Sequence, residues 1–277
     1  MTRLQDELAA APLGHATDYP DTYDATLLFA VPRAPQREEI GIGADLPFAG
    51  ADVWNAYELT WLDPRGKPAV AIASFTVPAT SPAIVESKSV KLYLGSFAQS
   101  RFAEAAAVAA ALARDLGGAV GAPVEVQIVP PAAFPHQSLA SLGGTSIDGA
   151  DTGCDVWEVD PGLLSADGPT VAETLTSDLF RSVCPVTGQP DYASVAVTYR
   201  GPRIDRAALL RYLVSYRQHA GFHEHCVERI FVDVKSACRC DALTVHARFP
   251  RRGGVDLNPF RSDAGDAVPA NVRTPRQ

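Results

Sequence analysis

The residues with the clearest chemical potential lie in the stretch VCPVTGQPDY, at positions 183–192. A thiol, Cys184, stands directly before Pro185, and a carboxylic acid, Asp191, follows after a turn-rich interval. A cysteine thiolate adds to electrophilic carbon, and a nearby carboxylic acid can supply the proton that the resulting anion needs. The same pattern also fits a packed thiol beside a turn aspartate, and this stretch alone favours that simpler interpretation.

A second group of reactive side chains occurs in FHEHC, at 222–226, where His223 and Glu224 are predicted to begin a helix. A glutamate at a helix start commonly does no more than complement the helix dipole. A carboxylate can also accept two parallel hydrogen bonds from a flat amidine-like edge such as that of guanine. Both interpretations of Glu224 stay open at this point.

The same region raises the question of a metal. His223, His225, Cys226, Cys238 and Cys240 include the ligand types that zinc prefers. Their spacing does not favour a site, because cysteines two positions apart diverge on either a helix or a strand. A zinc centre therefore remains an alternative without a supporting motif.

Two basic motifs could bind phosphate. In ESKSVKLYL, at 86–94, Glu86 precedes lysines at helical i, i+3 spacing, which fits either a solvated helix start or a carboxylate, Ser87 and Lys88 that face a ligand. In RRGGVDLNPFR, at 251–261, Arg252 stands before Gly253, whose backbone can approach a ligand closely. A basic turn that closes a strand is the simpler interpretation. No dinucleotide-binding glycine fingerprint accompanies either motif.

The elements that must position these residues follow one order twice. In the second half a strand (193–200), a helix after Asp205, a second helix (226–238) and a strand (243–249) follow one another. In the first half the corresponding predictions are a strand (69–77), helices at 89–99 and 101–116, and a strand (124–129). The pattern predicts an α+β protein of two duplicated modules, each an antiparallel sheet with two helices on one face.

The module boundary is predicted near residue 135, giving an N-terminal module over 1–135 and a linker with a C-terminal module over 136–277. Residues 130–176 are rich in Pro, Gly, Ser and Asp and are expected to be irregular. The modules differ in chemistry, since the second has His223 and Glu224 where the first has Ala103 and Glu104. We interpret this as one composite site divided between the copies.

Composition excludes several classes of function. The 277 residues carry a formal charge of −8, which argues against nucleic-acid binding through bulk electrostatics. The opening residues, MTRLQDELAAAPLGH, have acids where a signal peptide needs an apolar core, and the apolar run at 103–116 is too short to span a membrane. Five cysteines without framework spacing predict reduced thiols, and hence a soluble cytoplasmic protein.

Taken together, VCPVTGQPDY, ESKSVKLYL, FHEHCVERIF and RRGGVDLNP resemble the long, two-module form of the QueF family. These are the NADPH-dependent 7-cyano-7-deazaguanine reductases of queuosine biosynthesis. The resemblance covers almost the whole chain, including ATDYPDTYDATLLFAVPR at 16–33 and LPFAGADVWNAYELTWL at 46–62, but not the region around 130–176. It implies two tandem tunnelling-fold modules, a homodimer, a deazapurine nitrile as substrate, NADPH as co-substrate and no metal.

The resemblance also implies a role for each motif. Cys184 is expected to be the nucleophile that forms a thioimide, Asp191 the general acid and His223 a later proton donor. The remaining expected ligand contacts are Val85, Glu86, Ser87, His223 and Glu224 for the deazaguanine base, and Ser87, Lys88, Arg252 and Gly253 for NADPH. Two alternatives stay open: a zinc-dependent cyclohydrolase-like enzyme on the same fold, and a purine-binding protein without catalysis.

Overall fold

The computed structural model describes residues 19–265 and 269–277. The prediction about a signal peptide, at 1–15, and the first residues of the stretch 16–33 lie outside the described residues. Within these ranges, no helix combines the length and the apolar character that a membrane span requires.

Strands and helices follow one another along the described chain in the order that the two-module pattern predicts, with two consecutive helices between strands in each half. The α-helices are α1 (Ala34–Glu39), α2 (Ser87–Gly95), α3 (Ala105–Val120), α4 (Arg206–Ser215) and α5 (His223–Ala237). The strands are β1 (Ala30–Pro32), β2 (Ala49–Leu62), β3 (Pro68–Pro78), β4 (Ala83–Val85), β5 (Glu125–Val129), β6 (Thr145–Ser146), β7 (Ala166–Val183), β8 (Pro190–Ile204), β9 (Ala242–Arg248) and β10 (Val255–Ser262).

The chain forms two compact units. Among the described residues, the N-terminal unit contains 19–39, 52–138 and 251–257, and the C-terminal unit contains 40–51, 139–250, 258–265 and 269–277. The segment 251–257, which carries the RRGG motif, therefore folds with the N-terminal unit rather than with the chain segment that surrounds it.

The N-terminal unit is an antiparallel sheet covered by helices. Its strand order is β5-β3-β2, followed by the first residues of β10. Strand β3 pairs with β5 from Ile72↔Val129 to Thr76↔Glu125, and its buried residues alternate, as expected for a strand with one face in the core. Helix α3 packs on β4 and β5, and its buried face includes Leu112 and Leu116.

The C-terminal unit repeats this plan with strand order β10-β9-β8-β7-β6. Strands β7 and β8 form a long hairpin whose register shifts at a bulge between Ser177 and Phe180. Helix α4 packs on β7 and helix α5 on β9. The predicted α+β class, with antiparallel sheets and two helices packed on each, is confirmed.

Two sequence-based predictions need correction. The region 130–176 was expected to be irregular, yet β7 begins at Ala166, because long pairing with β8 outweighs the poor strand propensity of its Asp, Gly and Pro residues. The second N-terminal helix was placed at 101–116 but runs from Ala105 to Val120 and ends at Gly121, which is left-handed with φ 71°. Burial of Leu116 and Val120 on one face holds the extra turn despite two interior glycines.

Candidate active site

Cys184 lies in the turn that closes the β7–β8 hairpin. Its backbone N–H donates to the carbonyl of Gln189 over 2.8 Å, and the N–H of Gly188 donates to the Cys184 carbonyl over 2.9 Å. Gly188 has a φ of 67°, which suits a residue without a side chain. Only 8% of Cys184 is exposed. A tight turn therefore holds the thiol at the rim of the C-terminal core.

Asp191 is presented on the same face of the hairpin as Cys184. It pairs directly with Ser182, and one step further along the ladder Val183 pairs with Pro190. Because side chains alternate between faces, Ser182, Cys184 and Asp191 point to one side, and all three are buried. Cys184 and Asp191 are diagonal neighbours across the hairpin, a relation that places two residues roughly 7–8 Å apart.

His223, the first residue of helix α5, faces this hairpin. Its Nε2 lies 3.3 Å from Oδ1 of Asp191. Its ring stacks on that of Phe249 with 3.8 Å between centroids and 3° between planes. The buried Nδ1 of His223 has no hydrogen-bond partner among the described residues. The imidazole is thus placed by an acid at one nitrogen and by an aromatic ring on one face.

The loop before helix α5 is tied to the same hairpin. The N–H of Val183 donates to the carbonyl of His219 over 2.9 Å, and the N–H of Gly221 donates to the carbonyl of Val183 over 3.2 Å. Residue 183 therefore links the cysteine turn to the start of helix α5. Because these bonds lie in the backbone, the distance between Asp191 and His223 is set by the fold rather than by flexible side chains.

Glu224 occupies the first turn of helix α5 and is buried. A carboxylate there is favoured by the exposed N–H groups of the helix start. Glu224 and Asp191 both act on the thiol of Cys226, whose pKa is raised to about 12, first by burial and then further by these two carboxylates. Cys226 is therefore a protonated thiol with little nucleophilic character.

Neighbouring histidines and cysteines have environments that oppose charge. Burial lowers the pKa of His219 to about 4 and that of His225 to about 4. Burial also raises the pKa of Cys238 to about 12 and that of Cys240 to about 11. Among the described residues, no group of three or more His, Cys, Asp or Glu side chains is arranged to hold a metal ion.

In the N-terminal unit, Glu86 is the N-cap of helix α2. Its Oε1 accepts from the N–H of Lys88 over 2.7 Å, and its Oε2 accepts from the N–H of Ser89 over 2.8 Å. Glu86 is 1% exposed, so the solvated helix start considered above does not describe it. The adjacent Val85 is also buried, in β4, where it pairs with Ala30 of β1.

Arg252 and Gly253 form a tight turn beside the same helix. Arg252 and Val255 exchange backbone hydrogen bonds, and the two glycines between them have φ values of 60° and 78°, the pattern of a type I′ turn. A Cβ added to Gly253 would come within 3.1 Å of the Lys91 side chain. Arg251 lies over the Tyr57 ring at 4.8 Å.

The N-terminal unit thus gathers a basic cluster around exposed backbone. Lys91 is one turn along α2 from Lys88 and Ser87, which are half-buried. Glycine at 253 keeps the backbone open where a side chain would press on Lys91. These residues suit an anionic, phosphate-bearing molecule such as a nicotinamide dinucleotide, because they combine positive charge with approachable backbone N–H groups.

Phe249 is the site residue that sequence reasoning missed. It follows β9 directly and continues the alternation of Val245 and Ala247, so its burial was predictable. Its partner was not, because stacking on His223 depends on how helix α5 lies against the end of β9. Of the predicted residues, Asp191 and His223 are in direct contact and Cys184 shares the face of Asp191.

A buried thiol, a carboxylic acid and a histidine lie near one another at a hairpin and a helix start of this duplicated α+β protein, and these are groups that enzymes of covalent catalysis use. Two family models match the chain. One, described as "Nitrile reductase, 7-cyano-7-deazaguanine-reductase N-term", matches residues 19–128. The other, described as "QueF-like protein", matches residues 190–267.

Curated relatives match over almost the whole length. The NADPH-dependent 7-cyano-7-deazaguanine reductases of Burkholderia vietnamiensis and Burkholderia ambifaria are each 58% identical over 269 residues, which is 96% of this chain and 98% of theirs. A crystal structure titled "archaeosine synthase QueF-Like in the apo form" matches with a TM-score of 0.31 and 22% identity, covering 37% of this chain and 100% of that one. The chain belongs to the QueF family of NADPH-dependent 7-cyano-7-deazaguanine reductases, which are oxidoreductases.

Proposed function

We propose that this protein reduces the nitrile of 7-cyano-7-deazaguanine to the primary amine of 7-aminomethyl-7-deazaguanine, a step of queuosine biosynthesis. The balance is one nitrile, two NADPH and two protons in, and one amine and two NADP⁺ out. The observation that carries the proposal is the arrangement of Cys184, Asp191 and His223 on one buried face of the C-terminal unit.

The first step is covalent capture. The Cys184 sulfur forms a bond to the nitrile carbon while Asp191 gives a proton to the nitrile nitrogen. The carboxylate left on Asp191 then takes the thiol proton, so the net change is addition of S–H across the C≡N bond. This use of Asp191 is supported by its diagonal position to Cys184 and by its burial, which keeps water from competing for the proton.

Reduction follows from the thioimide. Two NADPH molecules supply the two hydrides. After the first hydride has been transferred, the C–S bond breaks. This gives an imine and leaves Cys184 as a thiolate. His223 then protonates the nitrogen as the imine becomes the amine, and Asp191 returns to the Cys184 thiolate the proton that it took during capture. His223 lies next to Asp191, which supports a common path by which solvent protons reach both residues after the reaction.

Binding of the deazaguanine base is assigned to two buried carboxylates. Glu224 and Glu86 each sit at a helix start, and a carboxylate can accept the paired N–H groups of a guanine-like edge. His223, Val85 and Ser87 complete the proposed contacts. The cap bonds of Glu86 support this role as well, because they orient the carboxylate before any ligand arrives.

NADPH is assigned to the basic cluster of the N-terminal unit. Ser87, Lys88, Arg252 and Gly253 are the proposed contacts, and Lys91 joins them by its approach to Gly253. The type I′ turn offers backbone N–H groups, and the cationic side chains offer charge for the phosphates. We also propose a cytoplasmic homodimer, and the five free cysteines support a reducing compartment.

The test is an intact-protein mass spectrum after mixing with 7-cyano-7-deazaguanine in the absence of NADPH. The proposal predicts an adduct of the full mass of the nitrile, its loss when NADPH is added, and its absence in Cys184→Ala. A matched thiol control is Cys154→Ala, which removes a cysteine outside the site and should leave the adduct unchanged. No adduct together with stoichiometric zinc would favour the hydrolase alternative, and no adduct without zinc would favour a binding protein.

A further inference from the structure

The segment Arg273–Gln277 is docked into the C-terminal unit rather than lying free on it. Arg276 donates to the carbonyl of Asp178 over 2.8 Å, at the bulge of strand β7. The backbone of Arg273 accepts a bond from Ala140 over 2.9 Å. Thr274 and Gln277 are buried, with 4% and 7% of their surfaces exposed. Neither sequence motifs nor the proposed reaction gives this segment a task.

The side chain of Gln277 uses both ends of its amide inside the protein. Its Nε2 donates to the carbonyl of Phe249 over 3.1 Å and to Oδ1 of Asn258 over 2.7 Å. Its Oε1 accepts from the N–H of Thr274 over 3.0 Å. An amide is required here, since the group must donate twice on one side and accept on the other.

Phe249 is a residue whose position needs such an anchor. It lies one residue past the end of strand β9, and the next residue, Pro250, has no N–H to donate. Its ring stacks on His223 at 3.8 Å and meets Phe180 edge-on at 6.1 Å. The backbone of Phe249 is thus held by Gln277, while its side chain forms one wall for His223.

The orientation of the His223 ring depends strongly on its contact with Phe249. Its Nδ1 has no hydrogen-bond partner in the described part of the chain, so no bond at that nitrogen fixes the tilt of the ring. Tilt is set by Asp191 at Nε2 and by the face of Phe249. A shift of Phe249 would therefore move the ring of His223, the proposed proton donor. Misplacement of a catalytic group by about 1 Å can lower the rate on the order of 100-fold.

We infer that Gln277 is a positioning residue for proton transfer by His223, acting through Phe249. The inference rests on the proposed function, in which His223 protonates nitrogen during reduction. It assigns the amide of Gln277 no contact with substrate. Covalent capture uses Cys184 and Asp191, which do not contact Phe249 in the proposed role, so loss of Gln277 should slow reduction more than capture.

The decisive variant is Gln277→Glu, which keeps the shape but turns acceptor oxygens toward the Phe249 carbonyl and Asn258. We expect kcat to fall about 10-fold, the KM for the nitrile to change less than about 2-fold, and the pH profile of kcat to move. The mass adduct without NADPH should still form. Gln277→Met, which removes the bonds without adding charge, should show the same pattern more weakly and serves if the glutamate variant folds poorly.

Two further variants distinguish an effect on the position of His223 from a general loosening of the segment Arg273–Gln277. Arg276→Gln loosens the same segment at Asp178 and should leave kcat and its pH profile as in the parent. Phe249→Leu should lower kcat, and combining it with Gln277→Glu should add little, because both act on one contact. Additive losses, or an unmoved pH profile in Gln277→Glu, would overturn the inference. A parent protein that forms no adduct and reduces no nitrile would instead overturn the proposed function.

Discussion

Both units contain a pair of helices joined by a tyrosine–aspartate hydrogen bond, but the residues at the start of the second helix differ between them. In the N-terminal unit, Tyr93 of α2 donates to Asp115 of α3 over 2.7 Å. In the C-terminal unit, Tyr212 of α4 donates to Asp233 of α5, also over 2.7 Å. A tyrosine on the first helix and an aspartate on the second thus mark equivalent positions, and the duplication is visible in side-chain contacts as well as in element order.

The chemistry differs where the second helix begins. Aligning the helix starts places Ala105 opposite His223 and Ala106 opposite Glu224. The sequence comparison had used Ala103 and Glu104, two residues earlier, because it matched FAE at 102–104 with FHE at 222–224. In the N-terminal unit this position is apolar, whereas in the C-terminal unit it carries an acid and a histidine. The scaffold is shared, and the residues proposed to be catalytic lie in one copy of it.

The first helices show the reverse difference. Glu86 caps α2 and Asp205 caps α4, each by accepting backbone N–H groups. Asp205 is exposed, whereas Glu86 is 1% exposed. Burial of a carboxylate costs free energy that capping alone does not require, as Asp205 demonstrates. A buried cap therefore indicates a second task for Glu86, and this supports its proposed role in base binding.

The largest expected effect concerns the unit that carries the thiol. Cys184→Ala should abolish both the adduct and nitrile reduction, because the thiol of the neighbouring Cys226, whose pKa is raised to about 12, stays protonated. Binding of the base, measured by calorimetry, should persist. Turnover comparable to that of the parent protein would show that Cys184 is not the nucleophile. The proposed difference in function between the two units would then lose its main support.

Acid should weaken the C-terminal unit selectively. His225, which is buried there, has a pKa lowered to about 4, whereas an unfolded chain would bind its proton near pH 6.5. Since the unfolded state binds more protons between these values, His225 contributes stability above pH 6.5 that is lost as the pH falls toward 4. The full contribution is about 3 kcal/mol, of which about 2 kcal/mol is lost by pH 5.

The measurement is denaturant unfolding at pH 7.5 and at pH 5, with His225→Gln compared with the parent. The variant should lose less stability on acidification than the parent does. His136→Gln, at an exposed position of the N-terminal unit, is the matched control and should behave as the parent. An unchanged acid dependence in His225→Gln would show that His225 takes up its proton at the same pH in the folded and the unfolded protein, so that folding does not lower its pKa.

Replacing the two caps tests whether burial of Glu86 has a purpose. Glu86→Gln keeps an oxygen for the helix N–H groups but loses the charge, so we expect binding of the base to weaken by about 10- to 100-fold. Asp205→Asn makes the same chemical change at the exposed cap and should leave binding unchanged. Thermal unfolding of both variants controls for loss of the cap itself. Equal effects on binding would mean that Glu86 only caps its helix.

The basic turn of the N-terminal unit can be tested through two Michaelis constants. Arg252→Ala should raise the KM for NADPH about 10-fold, the loss expected for one charged hydrogen bond, and change that for the nitrile far less. Arg203→Ala removes an exposed arginine from strand β8 of the C-terminal unit and should change neither constant. Equal rises in both constants for Arg252→Ala would contradict the assignment of NADPH to this turn.

Patterns in the sequence predicted the parts of the fold that depend on periodicity. Alternation located β8 and β9, and the position of Cys184 among Pro and Gly residues predicted a turn, which is the β7–β8 hairpin. The start of β7 was missed because its residues have poor strand propensity and are held by pairing with β8. Propensity is local, whereas pairing is decided by a partner elsewhere in the chain.

The candidate site shows the same limit. Cys184, Asp191, His223 and Glu224 were identified by residue type and by resemblance. Contacts that depend on the relative placement of two elements, such as Phe249 on His223, had no sequence signal. Gln277 had none either, since it belongs to no periodic element and its task follows only from the atoms that its amide reaches.

The last prediction compares the tyrosine–aspartate hydrogen bond of one unit with that of the other, and it includes the smallest expected effect. Tyr212→Phe should lower the free energy of unfolding by about 1–3 kcal/mol, because Asp233 and Tyr216, which both bond to Tyr212, lose a partner in a buried setting. Burial already raises the pKa of Asp233, and removal of the tyrosine hydroxyl would raise it further.

Tyr93→Phe should cost less, under about 1 kcal/mol, because Asp115 keeps bonds from Tyr23 over 2.5 Å and from Arg114 over 2.9 Å. Urea unfolding of the two variants, with neither expected to alter nitrile binding, checks the difference. A Tyr93 variant as costly as the Tyr212 variant would show that the two units hold their helix pairs with equal dependence on the shared bond. The expected inequality would instead show that the N-terminal copy shares the role of this bond among further partners of Asp115, whereas the C-terminal copy depends more on its tyrosine.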